Sequence, residues 1–356
     1  MESTRDRQDP GHPDAEGFDA VHARLLRFFP EQVAELGGDA DGLLRAVGIE
    51  AADHPSRRPA ATYRQMVALL ELAAVELDCP DFGLRLGRRQ TAANTFGPLG
   101  LVMRNSRTFG EALGYVRKHT YAHSLAARIW QRRLPAEGLV FSGHDILVDR
   151  IPVKSQVIEQ ILLVGHLGAM EMTGGYARVR RVHFRHQPVS SIKTYHRYFG
   201  CEVRFGQDAD GVLFSEADLA CPIIDPDFQA YDRVTAFIDR RFTRQHPPLH
   251  AQARGLVMQF LGSERCTNDH IAAELNLHPR TLHRRLKAEG TSFQQIKDEV
   301  RRDVMLYYLR QTNFEFARIS EKLGFAEQSV MTRSCNRWFQ ASPTRVRAQG
   351  RAVLSE

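Results

Sequence analysis

The chain has 356 residues, 43% of them hydrophobic and 25% charged, with 48 Lys plus Arg against 42 Asp plus Glu. That length favours two domains over one, and the apolar content suffices for packed cores. The longest apolar stretch, VIEQILLVGHLGAM, is broken by Glu159 and His166 and is too short to span a bilayer. The N-terminus lacks the apolar segment of a secretory signal, so a soluble, cytoplasmic protein is expected, with no membrane partner.

Residues 1–18 are polar and aperiodic, and composition predicts a disordered tail. An α+β domain is expected over 19–235. Its first helical pattern starts at Val21, with Leu25, Phe28, Phe29 and Val33 on one side, and further helices are predicted over 62–77 and 107–118. Strand patterns occupy 125–130, 138–143, 179–184, 201–205 and 211–214, and IPVKSQVIEQILLVGHLGAMEM reads as one largely buried helix between them. A linker is expected over 236–250, centred on RRFTRQHPPLH, where Pro247 and Pro248 disfavour helix continuation. Residues 251–356 read as all-helical.

The charge is unevenly placed. From His246 onward there are 17 Lys plus Arg against 11 Asp plus Glu, whereas the preceding residues carry 31 of each. A neutral part joined to a basic one directs attention to a polyanion-binding module at the C-terminal end. The five cysteines are scattered without a C-x-x-C pair, which suggests reduced thiols rather than disulfides or a zinc site.

The basic part contains a repeat. Ile271, Leu275, Leu277, Leu282 and Leu286 recur as Ile319, Leu323, Phe325, Met331 and Cys335, offset by 48 before a turn and 49 after it. Each copy is a short helix, a turn and a second helix, which is the pattern of a helix-turn-helix, expected over about 267–290 and about 316–339. The polar side of the second helix then offers Arg280, His283 and Arg284 in one copy and Gln328, Ser329, Thr332 and Arg333 in the other. Arg and Gln can grip base edges with two hydrogen bonds each, and Thr281, Lys287 and Arg337 are placed to meet phosphates. Between the copies, 292–312 keeps Phe293, Ile296, Val300, Val304 and Tyr308 at helical spacing. Roughly 20 residues at about 1.5 Å each make a rod of about 30 Å. One DNA turn is about 34 Å, so such a rod would set two reading helices into successive major grooves.

These phrases carry a resemblance. RTLHRRLKAEGTSF, EVRRDVMLYYL, ISEKLGFAEQSVMTR and RWFQASPTRVR, in that order, resemble the DNA-binding domain of the AraC/XylS family of bacterial transcription regulators. DCPDFGLRLG, FGPLGLVMRNSRTFGEAL, VHFRH and YFGCEVRFGQDADGVLF resemble the arabinose-binding-like effector domain of its ornithine-utilisation-regulator-like branch. The resemblance implies an α+β effector domain followed by an all-α domain with two helix-turn-helix motifs on a linker helix. It also implies promoter DNA and a small-molecule effector as partners, a homodimer, and contact with RNA polymerase if the protein activates; no cofactor is implied. The second motif departs from the pattern. Cys335 stands for the usual Phe, Asn336 for a basic residue, Gln340 for Gly, and Ala326 where a Ser could cap the helix, so weaker DNA contact is expected there.

Other constellations yield less. His119 and His123 in HTYAH have the spacing of two metal ligands on one helical face, but no third ligand is placed and two histidines beside an aromatic is the ordinary reading. No phosphate loop or nucleophile elbow is present, and the chain is not expected to be an enzyme. The rival to an effector-controlled regulator is an effector-independent architectural DNA-binding protein.

Overall fold

The computed structural model describes residues 19–21, 24–49, 61–151, 153–242 and 247–352; the expected tail over 1–18 lies outside them. The N-terminal part opens with α1 (Phe29–Glu35), α2 (Ala40–Ala46), α3 (Tyr63–Glu76), α4 (Phe82–Arg88), α5 (Ala92–Thr95), α6 (Pro98–Arg104) and α7 (Phe109–Lys118). The first helix begins later than the apolar spacing predicts. Phe28 takes a left-handed φ of 67° and Pro30 stands in the first turn, so Leu25 enters the core from a turn instead. The start of α3 is fixed by a capping box in which Thr62 and Gln65 exchange side-chain-to-backbone hydrogen bonds.

Strands β1 (Ala127–Leu134) and β2 (Leu139–Ile146) form an antiparallel hairpin whose turn is closed by Gly138 at φ 63°. After α8 (Ser155–Met172) come β3 (Arg181–His183), α9 (Ile192–Phe199), β4 (Glu202–Arg204), β5 (Gly211–Ser215), α10 (Glu216–Ala220) and α11 (Phe228–Phe242). The sheet order is β1-β2-β5-β3-β4, antiparallel except for β3 with β4, which α9 connects. Helix α8 is apolar enough to be buried on nearly every side. It packs on α4 so closely that a Cβ at Gly83 would collide with the Gln156 carbonyl. One continuous core, from Leu25 to Ala251, fills the space between this helical layer and the sheet.

The C-terminal part is helical: α12 (Leu249–Phe260), α13 (Asn268–Glu274), α14 (Pro279–Ala288), α15 (Phe293–Gln311), α16 (Phe316–Lys322), α17 (Gln328–Phe339) and α18 (Pro343–Ala352). Residues 236–242 of the expected linker are the end of α11, where Val234 and Ile238 keep the apolar spacing going; 243–246 fall outside the described residues. Two separate small cores follow. One joins α12, α13 and α14 to the first half of α15, and the other joins α16, α17 and α18 to its second half, with Val304 touching both. Helix α15 is therefore the shared spine of two helix-turn-helix units. Among the described residues no helix is long and apolar enough to cross a membrane.

Candidate nucleic-acid interface

In the first unit, Thr267 caps α13 by accepting from the His270 N–H, and the chain turns at Asn276, whose φ is 54°. Helix α14 starts with Pro279 in its first turn and with His278 Nδ1 accepting from the Arg280 N–H at 3.2 Å. Leu282 and Leu286 are fully buried and pin one side of α14. Its other side is exposed and carries Arg280, His283, Arg284, Arg285 and Lys287, with Thr281 half-buried. Among the described residues none of the four cations on this face forms an ion pair with an acid. The sequence reading passed over Arg285, although it falls in the same basic run.

In the second unit, Gly324 turns the chain at φ 65°, and its backbone lies so near Gly262 that a side chain there would be crowded. Met331 and Cys335 are 0% exposed and form the packed side of α17, as their match to Leu282 and Leu286 implied. The Cys335 thiol donates to the Ala341 carbonyl at 3.4 Å, and burial pushes its pKa up to about 11. Trp338, Phe339 and Val346 complete that core. Gln328, Ser329 and Arg333 are exposed and Thr332 is half-buried.

Two features of α17 differ from the sequence reading. The residue in the cap position is Glu327, one later than Ala326, and it makes no side-chain cap bond; its carboxylate instead accepts from Ser329 Oγ at 3.0 Å. Arg337 is drawn toward α15, with Nη2 3.8 Å from Asp298 Oδ2 and its guanidinium 5.5 Å from the Trp338 ring centre. Val330, left open by the sequence, is half-buried.

The spine fixes both units through residues that the sequence reading did not single out. Lys297 Nζ donates to the Cys266 carbonyl at 2.8 Å, just ahead of α13. One helical turn on, Arg301 Nε donates to the Leu323 carbonyl at 3.0 Å, and its guanidinium lies 4.4 Å from the Phe325 ring centre, in the turn of the second unit. Their i, i+4 spacing on an amphipathic helix was the available signal. These bonds hold the entry to α13 and the turn of the second unit against one helix, so the two exposed faces keep a fixed relation to each other.

The spine also touches the N-terminal domain. Asp303 Oδ2 accepts from the Arg150 backbone N–H at 3.0 Å, and the Tyr307 hydroxyl accepts from the Gln187 N–H at 2.9 Å. Lys322, on α16, pairs with Asp208 at 2.6 Å.

The histidine pair separates. His119 ends α7 and stacks on Tyr115 at 3.9 Å, while His123 lies past a 3-10 turn with Nε2 2.9 Å from the Tyr63 hydroxyl. They share no helical face, which corrects the metal alternative. Among the described residues no group of three or more His, Cys, Asp or Glu is arranged to hold a metal ion. His183 and His186, at the end of β3, are packed among aromatic rings.

Comparison with known proteins bears on the same two parts of the chain. Residues 37–223 match the arabinose-binding N-terminal domain of AraC transcription regulators, and residues 271–349 match a helix-turn-helix domain. The HTH-type transcriptional regulator VirS of Mycobacterium tuberculosis is 31% identical over 331 residues, 93% of this chain and 97% of that protein. The chain belongs to the AraC family of transcriptional regulators. Within that family it is also similar to the ornithine utilization regulator of Pseudomonas aeruginosa, at 24% identity over 88% of this chain and 91% of that one. A crystal structure of the regulator CdpR from Pseudomonas aeruginosa covers 86% of this chain and 96% of its own at 22% identity, with a TM-score of 0.42. As an AraC-family member the chain is a transcriptional regulator with a helix-turn-helix DNA-binding region and an arabinose-binding-like N-terminal domain.

Proposed function

We propose that this regulator reads a promoter site with α14 and α17 together and that a small molecule bound by the N-terminal domain controls it. The observation that carries the DNA part is the one-sided burial of both helices. Leu282, Leu286, Met331 and Cys335 are locked in two cores on one spine, and the opposite faces present bidentate donors without acid partners. In this reading Arg280, His283, Arg284, Gln328, Ser329, Thr332 and Arg333 meet base edges. Thr281 and Lys287 meet phosphates, joined by Arg285; Arg337 must release Asp298 to do so. The functional division is an effector and dimerisation domain over 19–235 and a DNA-binding domain over 251–356, with RNA polymerase the further partner if transcription is activated and the nucleoid its place in the cell.

Effector control is supported by the match to an arabinose-binding domain and by the hydrogen bonds that tie the spine to that domain. The architectural rival predicts nearly equal affinity for all duplexes. The test is a competition titration at physiological salt between a duplex recovered from genome-wide binding and a random one. The expected preference is about a thousandfold or more, with a log–log salt slope near −5 for about six phosphate contacts. Equal affinities would overturn the reading.

A further inference from the structure

Helix α12 opens at Pro248, and a proline has no side-chain acceptor with which to cap the free N–H groups of a first turn. Those donors are satisfied from elsewhere. The Glu289 carboxylate accepts from the Leu249 N–H at 3.0 Å through Oε1 and from the His250 N–H at 2.8 Å through Oε2, and His250 Nδ1 lies 2.8 Å from the same Oε2. Burial by itself would raise the pKa of this carboxyl, but the bonds from His250 and Leu249 hold it below its ordinary value. Glu289 is the C-cap of α14, the helix that carries Arg280, His283 and Arg284. One side chain therefore joins the end of a reading helix to the point where the chain from the N-terminal domain enters the DNA-binding domain. An acid four residues after Arg285 on one helix is set to pair with it. Here the carboxylate is given to α12 instead, and among the described residues Arg285 keeps its charge unpaired for a phosphate.

The other end of α12 is held by the N-terminal domain. Arg128 Nη2, on β1, donates to Gln259 Oε1 at 2.5 Å, and Arg185 Nη2 donates to the Met258 carbonyl at 3.4 Å. Midway along the helix, a Cβ at Gly255 would come within 2.9 Å of side-chain atoms of Arg128 and Leu147, so the glycine lets the two domains meet closely. On its inner side Ala253 and Val257 are fully buried in the core that also holds Leu282 and Leu286 of α14. The C-cap of α17, Gln340, bonds back to its own helix at the Arg337 carbonyl, so the join through α12 belongs to the first unit.

We propose that α12 is a lever between the N-terminal domain and α14, with Glu289 as the positioning residue that connects it to the reading helix. The bonds from Leu249 and His250 to Glu289 fix the angle at which α14 presents Arg280, His283 and Arg284 to base edges. A carboxylate bridging two helices through three donors is a stiff connection, because each bond is charge-assisted and the acceptor sits at the positive end of α12. A shift of the N-terminal domain against Gln259 is then handed to α14, while α17 is not reached by this route. The lever rests on the base-reading assignment made above and adds the path by which the N-terminal domain reaches it.

The test uses the full chain and a cognate duplex recovered from genome-wide binding, with each base pair substituted in turn. Pairs whose preference is lost in Arg284→Ala belong to α14, and those lost in Arg333→Ala belong to α17. For wild type a preference of about 5- to 150-fold per pair is expected. Glu289→Ala should lower the preferences of the α14 pairs by about fivefold, the effect of one lost helix cap, and leave those of the α17 pairs unchanged. Unfolding would reduce binding to every duplex alike, so it does not imitate a loss confined to one part of the site. Glu289→Gln keeps an acceptor for α12 and should retain more of the α14 preference than alanine does. Gln259→Ala frees the far end of α12 and should also weaken the α14 pairs, but not when Glu289 is already alanine, since the lever is then disconnected. Intact α14 preferences in Glu289→Ala, a loss spread over both sets of pairs, or equal losses in Glu289→Gln and Glu289→Ala would overturn the role of Glu289. No effect of Gln259→Ala, or the same effect in both backgrounds, would overturn the lever. Intact preferences in Arg284→Ala would overturn the base-reading assignment itself, so the two failures are told apart.

Discussion

Replacing Arg284 and Arg333 by alanine, singly, separates the contributions of the two reading helices. Both side chains are exposed, and neither has an ion pair among the described residues, so neither change should move the melting temperature of the free protein beyond the roughly 0.5 kcal/mol of an ordinary surface substitution. On the cognate duplex, loss of a bidentate base contact by Arg284 costs about 1–3 kcal/mol, which is about 5- to 150-fold in Kd. Arg333 should lose less. Helix α14 enters with a side-chain cap at His278 and a proline, whereas α17 enters at Glu327 without a cap bond, a difference worth about 0.5–2 kcal/mol in holding the first turn. Ser329, in that turn, is engaged with Glu327 in place of a base. Fluorescence-anisotropy titrations at one fixed salt concentration, with melting curves of each variant, give the two numbers. An Arg333→Ala penalty equal to or above that of Arg284→Ala would show that cap and core do not set the strength of the second contact.

Further outcomes follow from the N-terminal domain. Burial raises the pKa of Glu71 to about 7 even though it accepts backbone N–H groups at the start of α8. A carboxyl with a raised folded-state value stays protonated while the unfolded chain ionises, so its contribution to stability is present below about pH 4.5 and is lost as pH rises toward 7. Glu71→Gln keeps an acceptor and removes that titration. Its stability relative to wild type should rise by at most roughly 3 kcal/mol between pH 4.5 and 7, seen in urea midpoints across that range, and a pH-independent difference would rule the titration out. At Gly83, alanine must push α4 off α8 and break the bond from the Gly83 N–H to Gln156 Oε1 at 2.7 Å. A loss of about 1–3 kcal/mol is expected, and an unchanged melting temperature would mean that the helices separate freely.

The sequence by itself determined the periodic elements. Strand-like runs bounded by Gly, Pro and Asp located all five strands of the described sheet to within a few residues, and the repeat of Ile271, Leu282 and Leu286 in Ile319, Met331 and Cys335 marked the packed sides of α14 and α17. The helices are legible because burial of one face imposes a local spacing, and the strands because short apolar runs end at turn residues. Short helices such as α4 to α6 and the one-turn α10 were missed because a span of one or two turns leaves too little period to read. The spurious early start of α1 arose because Leu25 is buried from a turn and not from a helix. What only the tertiary structure decided is how the C-terminal helices meet one another and the effector domain. Glu289 and the two N–H groups that it caps belong to separate segments with ordinary local patterns, and Arg337, exposed by periodicity, is turned aside by Asp298 from a neighbouring helix. Spacing along a chain records which side of an element is buried; which charges converge, and which are left unpaired, is fixed by packing between elements far apart in sequence.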